Sequence, residues 1–550
     1  MHRHVCVLRN TAFTLSALCA AVATALPATM VQAMEIKTDS DWKVRWDNTL
    51  KYSMAYRVGK QDSALTDSPT LGGLYPNIQS QGDNNFDRGL VSNRLDVFSE
   101  LDVSQKNYGM RVSGATWYDD VYNKSTDSSD QRHFLDDTRE LHGRDAELLD
   151  AFVYARGEVG DNSQATVRLG RHSLIYGESL FFGGNGIANA QGPIDVVKLL
   201  SVPGTQFKEI LRPVNQISGQ FQINPQLSVG AYYQFEWERS NIPGAGSYLS
   251  TFDIIGHGSG DAQSLTGTTV NGGDIHARDS GQGGAQLRYK PEGTDYEFGV
   301  YAAQYHDKTP SNVYANLTGA VVTPGGVAPV FGSYNQVYAE NIKTFGISAS
   351  TSYGDFNFAS EASIRWDAPL VSSLQVVSPG INADNDDHAL YAKGRTAHVN
   401  LSTIYLLGQN ALWDGGTVLA ELAWNRTLSV TDNPEAQDPN TTRDATAFRV
   451  LMQPAYFQVM DGIDLTVPIG LGIGLDGRSS AVNQAGFGVE HGGDWSVGVK
   501  ATYLQDLEFG VNYVNFFGRK DPLLDNNAIF TYGQSLADRD FVSAYVKKTF

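Results

Sequence analysis

The chain is predicted to fold as a single all-β domain, a large antiparallel transmembrane β-barrel of about eighteen strands with an inward-folded loop that contains a short helix. Three observations predict it. Apolar and polar residues alternate over most of the length, which is the period of a strand with two different faces. Short turns alternate with long polar segments. One stretch, Arg168 to Asn215, breaks the rhythm with something long and not strand-like. A chain of 550 residues would ordinarily divide into several domains, but large barrels are single domains at this size.

The first mature segment carries the clearest alternation. Trp42, Val44, Trp46, Leu50, Tyr52, Met54 and Val58 interleave with Lys43, Arg45, Asp47, Thr49, Lys51, Ser53 and Arg57. A soluble antiparallel sheet with one wet face alternates in the same way, and length and repetition decide against it. Hairpins recur at Gln105-Lys106-Asn107, Gly160-Asp161-Asn162, Asn224-Pro225-Gln226, Pro291 to Gly293, Gly354-Asp355 and Gln505-Asp506. The stretch Ser479 to Gly493 is ambiguous, which leaves about sixteen strands as the alternative count. Asn241 to Gly281, Thr309 to Glu340 and Asp367 to Gly394 read as extracellular loops, and the short turns as periplasmic.

Backbone polar groups in lipid must all be paired, so strands close on themselves with apolar residues outward and polar ones toward a wet lumen. Trp42, Trp46, Trp237, Trp366, Trp424 and Trp495 are expected in the interfacial girdles. The last strand, through Val542, Ala544 and Val546 to the terminal Phe550, fits a signal for the barrel-assembly machinery. Lys548 departs from it where an outward aromatic is usual, and is expected to snorkel at the membrane border.

Composition agrees. Gly 56, Tyr 26 and Phe 25 against 18% charged residues suit many short strands with aromatic borders. Lys+Arg 41 against Asp+Glu 60 gives a net charge of -19, which argues against a nucleic-acid partner. Residues 1–33 read as a cleaved secretory signal, with a basic start at His2, Arg3, His4 and Arg9, an apolar run from Thr11 to Leu26, and Val31-Gln32-Ala33 before Met34. A membrane anchor helix is the alternative, and Pro27 with the short apolar run speaks for cleavage. Both cysteines, Cys6 and Cys19, fall in this segment, so a mature chain from 34 to 550 has no disulfide, thiol nucleophile or cysteine metal site. Leu18 is too large for a lipoprotein site at Cys19.

The order of W-D-N-T-L-K-Y, L-V-S-N-R-L, V-R-L-G-R-H-S-L-I-Y-G-E-S, P-I-D-V, P-G-T-Q-F-K-E, P-V-N, Y-Y-Q-F-E-W-E and D-R-D-F-V-S resembles the domain of unknown function 1302 family of Gram-negative outer-membrane proteins. The similarity covers nearly the whole mature chain and is densest from Arg168 to Glu238. The resemblance implies a porin-like barrel linked to uptake or export of poorly soluble organic compounds such as lipids and sterols. It carries over no catalytic residue.

The expected site is the insert, at about residues 176–213, folded into the bore as a constriction or plug. Pro193 suits a first helical turn, and Ile194, Val197, Lys198 and Leu200 keep roughly helical spacing until Val202, Pro203 and Gly204 stop it. On the alternation, Lys43, Arg45, Arg94, Arg111, Arg168 and Arg288 face the lumen, with Asp96, Glu100, Asp102, Glu236 and Glu361. The insert opposes that wall with Glu178, Asp195, Lys198, Lys208, Glu209 and Arg212. Arg171 joins Arg168 inside only if Gly170 carries a bulge. These charges either form a selective constriction or solvate one another in a plugged bore. The apolar residues Phe181, Phe182, Ile187, Leu199 and Leu200 either line a greasy path or anchor the insert to the wall.

Gly183, Gly184 and Gly186 lack the strand, helix and Lys-Ser/Thr of a phosphate loop and are expected to let the insert bend. His398, Asn400 and Ser402 share a strand face and loosely suggest a membrane lipase, but two strand repeats separate His398 from Ser402. Asp384, Asp386 and Asp387 offer oxygen ligands without a complete calcium-loop pattern. The sequence therefore reads as a non-enzymatic outer-membrane channel for small, organic, partly apolar molecules, with no cofactor. A plugged transporter of hydrophobic compounds working with periplasmic partners is the alternative, and a hydrolase the least favoured. Outer-membrane lipid, lipopolysaccharide and a small-molecule substrate are the expected partners.

Overall fold

The computed structural model describes residues 34–36, 41–66, 79–129, 131–160, 163–264, 267–323 and 326–550. The expected leader, and Asp161 and Asn162 of one turn, lie outside the described residues. The strands that build the wall are β1 (Trp42–Arg57), β2 (Leu90–Gln105), β3 (Tyr108–Asp119), β4 (Arg144–Glu158), β5 (Gln164–His172), β6 (Val214–Asn224), β7 (Leu227–Gln234), β8 (Gln282–Tyr289) and β9 (Glu297–Tyr305). They continue as β10 (Ile342–Tyr353), β11 (Phe356–Pro369), β12 (Lys393–Leu406), β13 (Gly415–Asp432), β14 (Asp444–Met460), β15 (Ile463–Thr466 with Ile469–Asp476), β16 (Gly493–Tyr503), β17 (Leu507–Phe517) and β18 (Phe541–Thr549).

Each strand pairs antiparallel with its sequence neighbours, and β18 pairs with β1 from Thr49↔Thr549 to Arg57↔Phe541. The sheet is therefore a closed eighteen-stranded barrel without a free edge. Phe550 and Asn48 exchange both backbone hydrogen bonds, at 2.8 and 2.7 Å, so the pairing continues to the last residue. A short strand, Met34–Ile36, pairs with Val44 to Trp46 below β18. Lys548 ion-pairs with Asp506 of the β16–β17 turn at 3.2 Å.

Alternation sorts the side chains as expected. Leu95, Val112, Leu169, Phe345, Val499 and Val511 stand exposed on the outer face. The intervening Ser53, Glu100, Ser218, Glu361 and Asn400 are buried within the barrel. An apolar outer belt around a polar interior is stable only with lipid outside. All connections of one kind share one end: those after β2, β4, β6 and so on to β16 are short, and those after the odd-numbered strands are long.

The long-loop end departs from the expected polar loops. Ala262–Ser264, Gly267–Ile275, Asn312–Thr323, Gly326–Val337 and Gln375–Val377 pair as a second, five-stranded sheet. Phe86, Tyr122, Phe134 and Tyr248 pack together from the loops after β1, β3 and β7, and Phe252, Val313, Tyr334 and Leu524 from those after β7, β9 and β17. The loops thus form a roof with its own apolar cores. Trp237 belongs to that roof and not to a girdle, because β7 ends at Gln234. It packs on Tyr338, is 7% exposed, and donates to the Asp307 carbonyl at 3.0 Å. The ambiguous Ser479 to Gly493 stretch is loop around a short helix, Gln484–Phe487.

The roof is tied to the rim by buried charge. Arg57 lies 2.6 Å from Asp83 and 3.2 Å from Asp538, and Arg539 donates to the Tyr248 carbonyl at 2.9 Å. Asp253 is buried beside this joint, where the Gln81 amide donates to it at 3.3 Å, and burial pushes its pKa up to about 7. Between its ordinary 3.8 and about 7 the packed loops hold a proton that unpacked loops release, so packing weakens as pH rises through that window. In near-ultraviolet circular dichroism melts, the loop aromatics of Asp253→Asn should unpack at a temperature that rises relative to that of the intact protein between about pH 5 and about pH 8, and an unchanged difference would show that Asp253 does not hold this proton.

Candidate functional site

The chain between β5 and β6 leaves the wall and runs through the barrel. Its first half, residues 176–191, docks on β7 to β13. The backbone amides of Leu180, Phe181 and Phe182 and the Ser179 hydroxyl all donate to the Glu421 carboxylate on β13, the Leu180 and Phe182 bonds at 3.1 and 3.0 Å. Glu361 on β11 accepts from the amides of Glu178 and Ile187 at 2.6 and 2.9 Å. Arg365, two strand repeats along β11, donates to the carbonyls of Gly184, Asn185 and Gly186 at 2.8 to 3.0 Å. Charge-assisted bonds of this kind each contribute about 1.5–3 kcal/mol.

Asn185 is the knob at the centre of this contact and is fully buried. Its amide donates to Asn400 at 2.8 Å, and its oxygen accepts from Asn425 at 3.1 Å and from His398 Nδ1 at 3.0 Å. The second nitrogen of His398 lies 2.7 Å from the Thr396 hydroxyl. Ser402 donates to the Glu178 carbonyl at 3.3 Å. His398, Asn400 and Ser402 thus hold the insert, and Ser402 is bonded to the insert rather than to His398.

The glycines have specific tasks. A Cβ on Gly186 would lie 2.4 Å from Glu361, and one on Gly177, which has a φ of +97°, 2.5 Å from it. The carboxylate approaches the backbone because both positions are bare. A Cβ on Gly183 would meet nothing within 4 Å.

The second half docks on the far side. The helix α1 (Val196–Ser201) begins at Val196 rather than at Pro193, because Asp195 caps it by accepting from the Lys198 amide at 2.7 Å. Ile194 instead bridges to Leu211 in extended form. Asp195 also accepts from Asn241 of the roof at 3.0 Å. Lys198 ion-pairs with Glu147 on β4 and lies 4.9 Å over the Trp117 ring of β3. Lys51 of β1 donates to Thr205 at 3.2 Å, and Lys547 of β18 to the Gly204 carbonyl at 3.3 Å. In the short helix α2 (Phe207–Ile210), Glu209 completes a capping box with Gln206, and Lys208 reaches Glu100 on β2 at 3.5 Å, over Phe98. In a ring of eighteen strands, β3 and β12 face each other, so the insert bridges the bore from wall to wall.

The remaining expected site residues divide. Arg45 pairs with Asp47 at 2.8 Å, Arg94 with Asp96 at 2.9 Å, and Arg111 with Asp102 at 2.5 Å, all on the inner wall. Arg288 at 2.8 Å ties the insert's Glu178 to β8. Arg168 faces inward over the Phe152 ring at 5.8 Å. Arg171 does not join it. Pairing stays one-to-one on both sides of Gly170, so no bulge turns Arg171 inward, and it meets Glu236 at 2.8 Å. Glu236 lies past the end of β7 and belongs to this rim rather than the lumen. Arg212 also lies at the rim, near Glu238 and the Arg239 carbonyl.

The apolar insert residues split as well. Phe182 packs with Phe487, Ala423 and Ala447, with Phe181 half-buried beside it, and Ile187 packs with Tyr176, Tyr232 and Tyr301. These three anchor the insert and do not line a path. Leu199 and Leu200, by contrast, are 52% and 47% exposed. Among the described residues no group of three or more His, Cys, Asp or Glu is arranged around a metal position, and Asp384 instead caps its own loop through the amides of Asp386 and His388.

Sequence reasoning missed Asn185, Arg365 and Glu421. The inward parity of Glu421 was visible, but nothing local shows that loop amides converge on it. Glu421→Ala should free three amides, so Leu180, Phe181 and Phe182 should exchange their amide hydrogens faster in the variant than in the intact protein. Equal exchange would show that the carboxylate does not hold the insert.

No curated protein matches the chain. Among solved structures, OccAB4 of Acinetobacter baumannii aligns over 95% of this chain and 100% of its own at 10% identity and a TM-score of 0.43. The outer membrane protein opdK of Pseudomonas aeruginosa aligns over 92% and 98% at 11% identity and 0.39, and OmpT of Vibrio cholerae in its trimer form over 92% and 99% at 10% and 0.36. The family described as "Protein of unknown function (DUF1302)" matches residues 14–550, and the chain belongs to that family.

Proposed function

We propose that the protein is a porin-like channel of the outer membrane that passes small, organic, partly apolar molecules and performs no catalysis. The observation that carries this reading is the insert. It is fastened to one wall by bonds to its backbone and to the opposite wall mainly through Lys198, Lys208 and Thr205, yet it leaves Leu199, Leu200 and Phe207 uncovered, Phe207 at 63% exposure. A segment that served only to fill the bore would bury those side chains. The apolar belt supports residence in lipid, with lipopolysaccharide around the roofed end and the short turns toward the periplasm. Phe550, closing the last strand, suits recognition by the barrel-assembly machinery.

The roof favours a second reading. Loops with their own apolar cores cover the long-loop end, as a plugged barrel would require, and apolar compounds would then move with the help of periplasmic partners. Planar-bilayer conductance separates the two. The purified mature protein should carry steady ohmic currents, and a variant lacking Gly183 to Gly204 should carry larger ones. If neither conducts while an apolar ligand still binds, the plugged reading replaces the channel.

A further inference from the structure

Cross-strand pairing puts an aliphatic patch on the inner wall beside the insert. Ser402 on β12, Glu421 on β13 and Arg449 on β14 are direct cross-strand partners, and the first two hold the insert. Two residues nearer the short-turn end, the same three strands carry Ile404, Leu419 and Leu451, again direct partners. Leu406, a further step down β12, is 55% exposed, and the other three are half-buried. Parity fixes their faces. Ser402 and Glu421 reach the insert and Arg449 reaches Asp494 of β16, so residues two positions along each strand also point inward. A Cβ on Gly470, the next position of the row on β15, would lie 3.9 Å from Leu451 Cδ1, so no side chain separates Leu451 from Ser496 of β16.

The patch is local. Its row turns polar on both flanks, at Asn357 on β11 and Ser496 on β16. On the wall from β6 to β8, Gln220 and Gln286 instead hydrogen-bond to each other at 3.2 Å near Tyr176 of the insert. Aliphatic surface standing in a wet bore costs free energy that a polar residue would avoid. The insert does not account for it, since its apolar anchors Phe182 and Ile187 pack on other residues. Access to the patch is restricted. The wall is closed, so neither lipid nor a neighbouring protein reaches it from the side, and the insert lies on the row above. A solute in the bore is what meets it. Strands lie about 4.8 Å apart, so the row from β12 to β14 spans about 10 Å, the scale of a small hydrocarbon group.

We infer that Ile404, Leu406, Leu419 and Leu451 form an aliphatic subsite beside the insert that takes the hydrocarbon portion of a passing molecule and sets which solutes the bore favours. The subsite rests on the channel reading and adds to it the wall residues that select. The test uses the full mature protein in planar bilayers, with glucose and hexyl glucoside as two uncharged blockers that share a head. Hexyl glucoside should interrupt the potassium chloride current at a concentration at least about tenfold below that of glucose. Leu419→Asn with Leu451→Asn should reduce that ratio to about threefold or less and leave the glucose block unchanged. Leu406→Ser alone, at the exposed end of the patch and therefore tolerated by the fold, should lower the ratio in the same direction. Equal block by the two glucosides in the intact protein, or a ratio that both wall variants leave unchanged, would overturn the inference and leave the channel standing. A silent protein would overturn the channel reading and this inference with it.

Discussion

Residues 177 to 187 carry backbone groups that neither a helix nor a sheet ladder satisfies, and the rest of the site depends on how the wall satisfies them. Buried amides and carbonyls without partners each cost about 1–3 kcal/mol. Glu421 and Glu361 supply acceptors, Arg365 supplies donors, and the Asn185 side chain supplies both kinds to two wall strands, β12 and β13. An irregular segment can therefore cross a barrel without regular structure of its own. The same arrangement makes it rigid, because the carboxylates are themselves buried and lose their partners if the segment leaves.

The strands were legible in the sequence because their signal is local. Period-two alternation survives in β1, β10 and β17 whatever their neighbours do, and it placed Arg94, Arg111 and Arg168 on the correct face. What failed was whatever depends on where a strand stops. Trp237 and Glu236 continue the alternation of β7, but the strand ends at Gln234 and both fall into the rim and roof. Arg171 was undecidable by parity alone, since only the neighbouring registers show that Gly170 bends the chain without adding a residue.

The roof and the insert were illegible for a different reason. Tyr334 and Phe252 belong to a core that assembles from loops far apart in sequence. Contacts between such loops leave no periodic mark. Leu199 and Leu200 illustrate the same limit in reverse. They read as apolar beside Val197, yet the cap at Asp195 fixes the helix phase so that Val197 faces the wall and the leucines do not.

The central claim is that the insert is a fixed bridge across an otherwise wet barrel. Hydrogen exchange of the intact protein in lipid nanodiscs measures it most directly. The amides of residues 180–187 should exchange as slowly as those of the strands they touch, while the short turns exchange within the earliest time points. Exchange of residues 180–187 as fast as the turns would contradict the account, because a segment held by Glu361, Glu421 and Arg365 has no route to water that leaves those bonds intact.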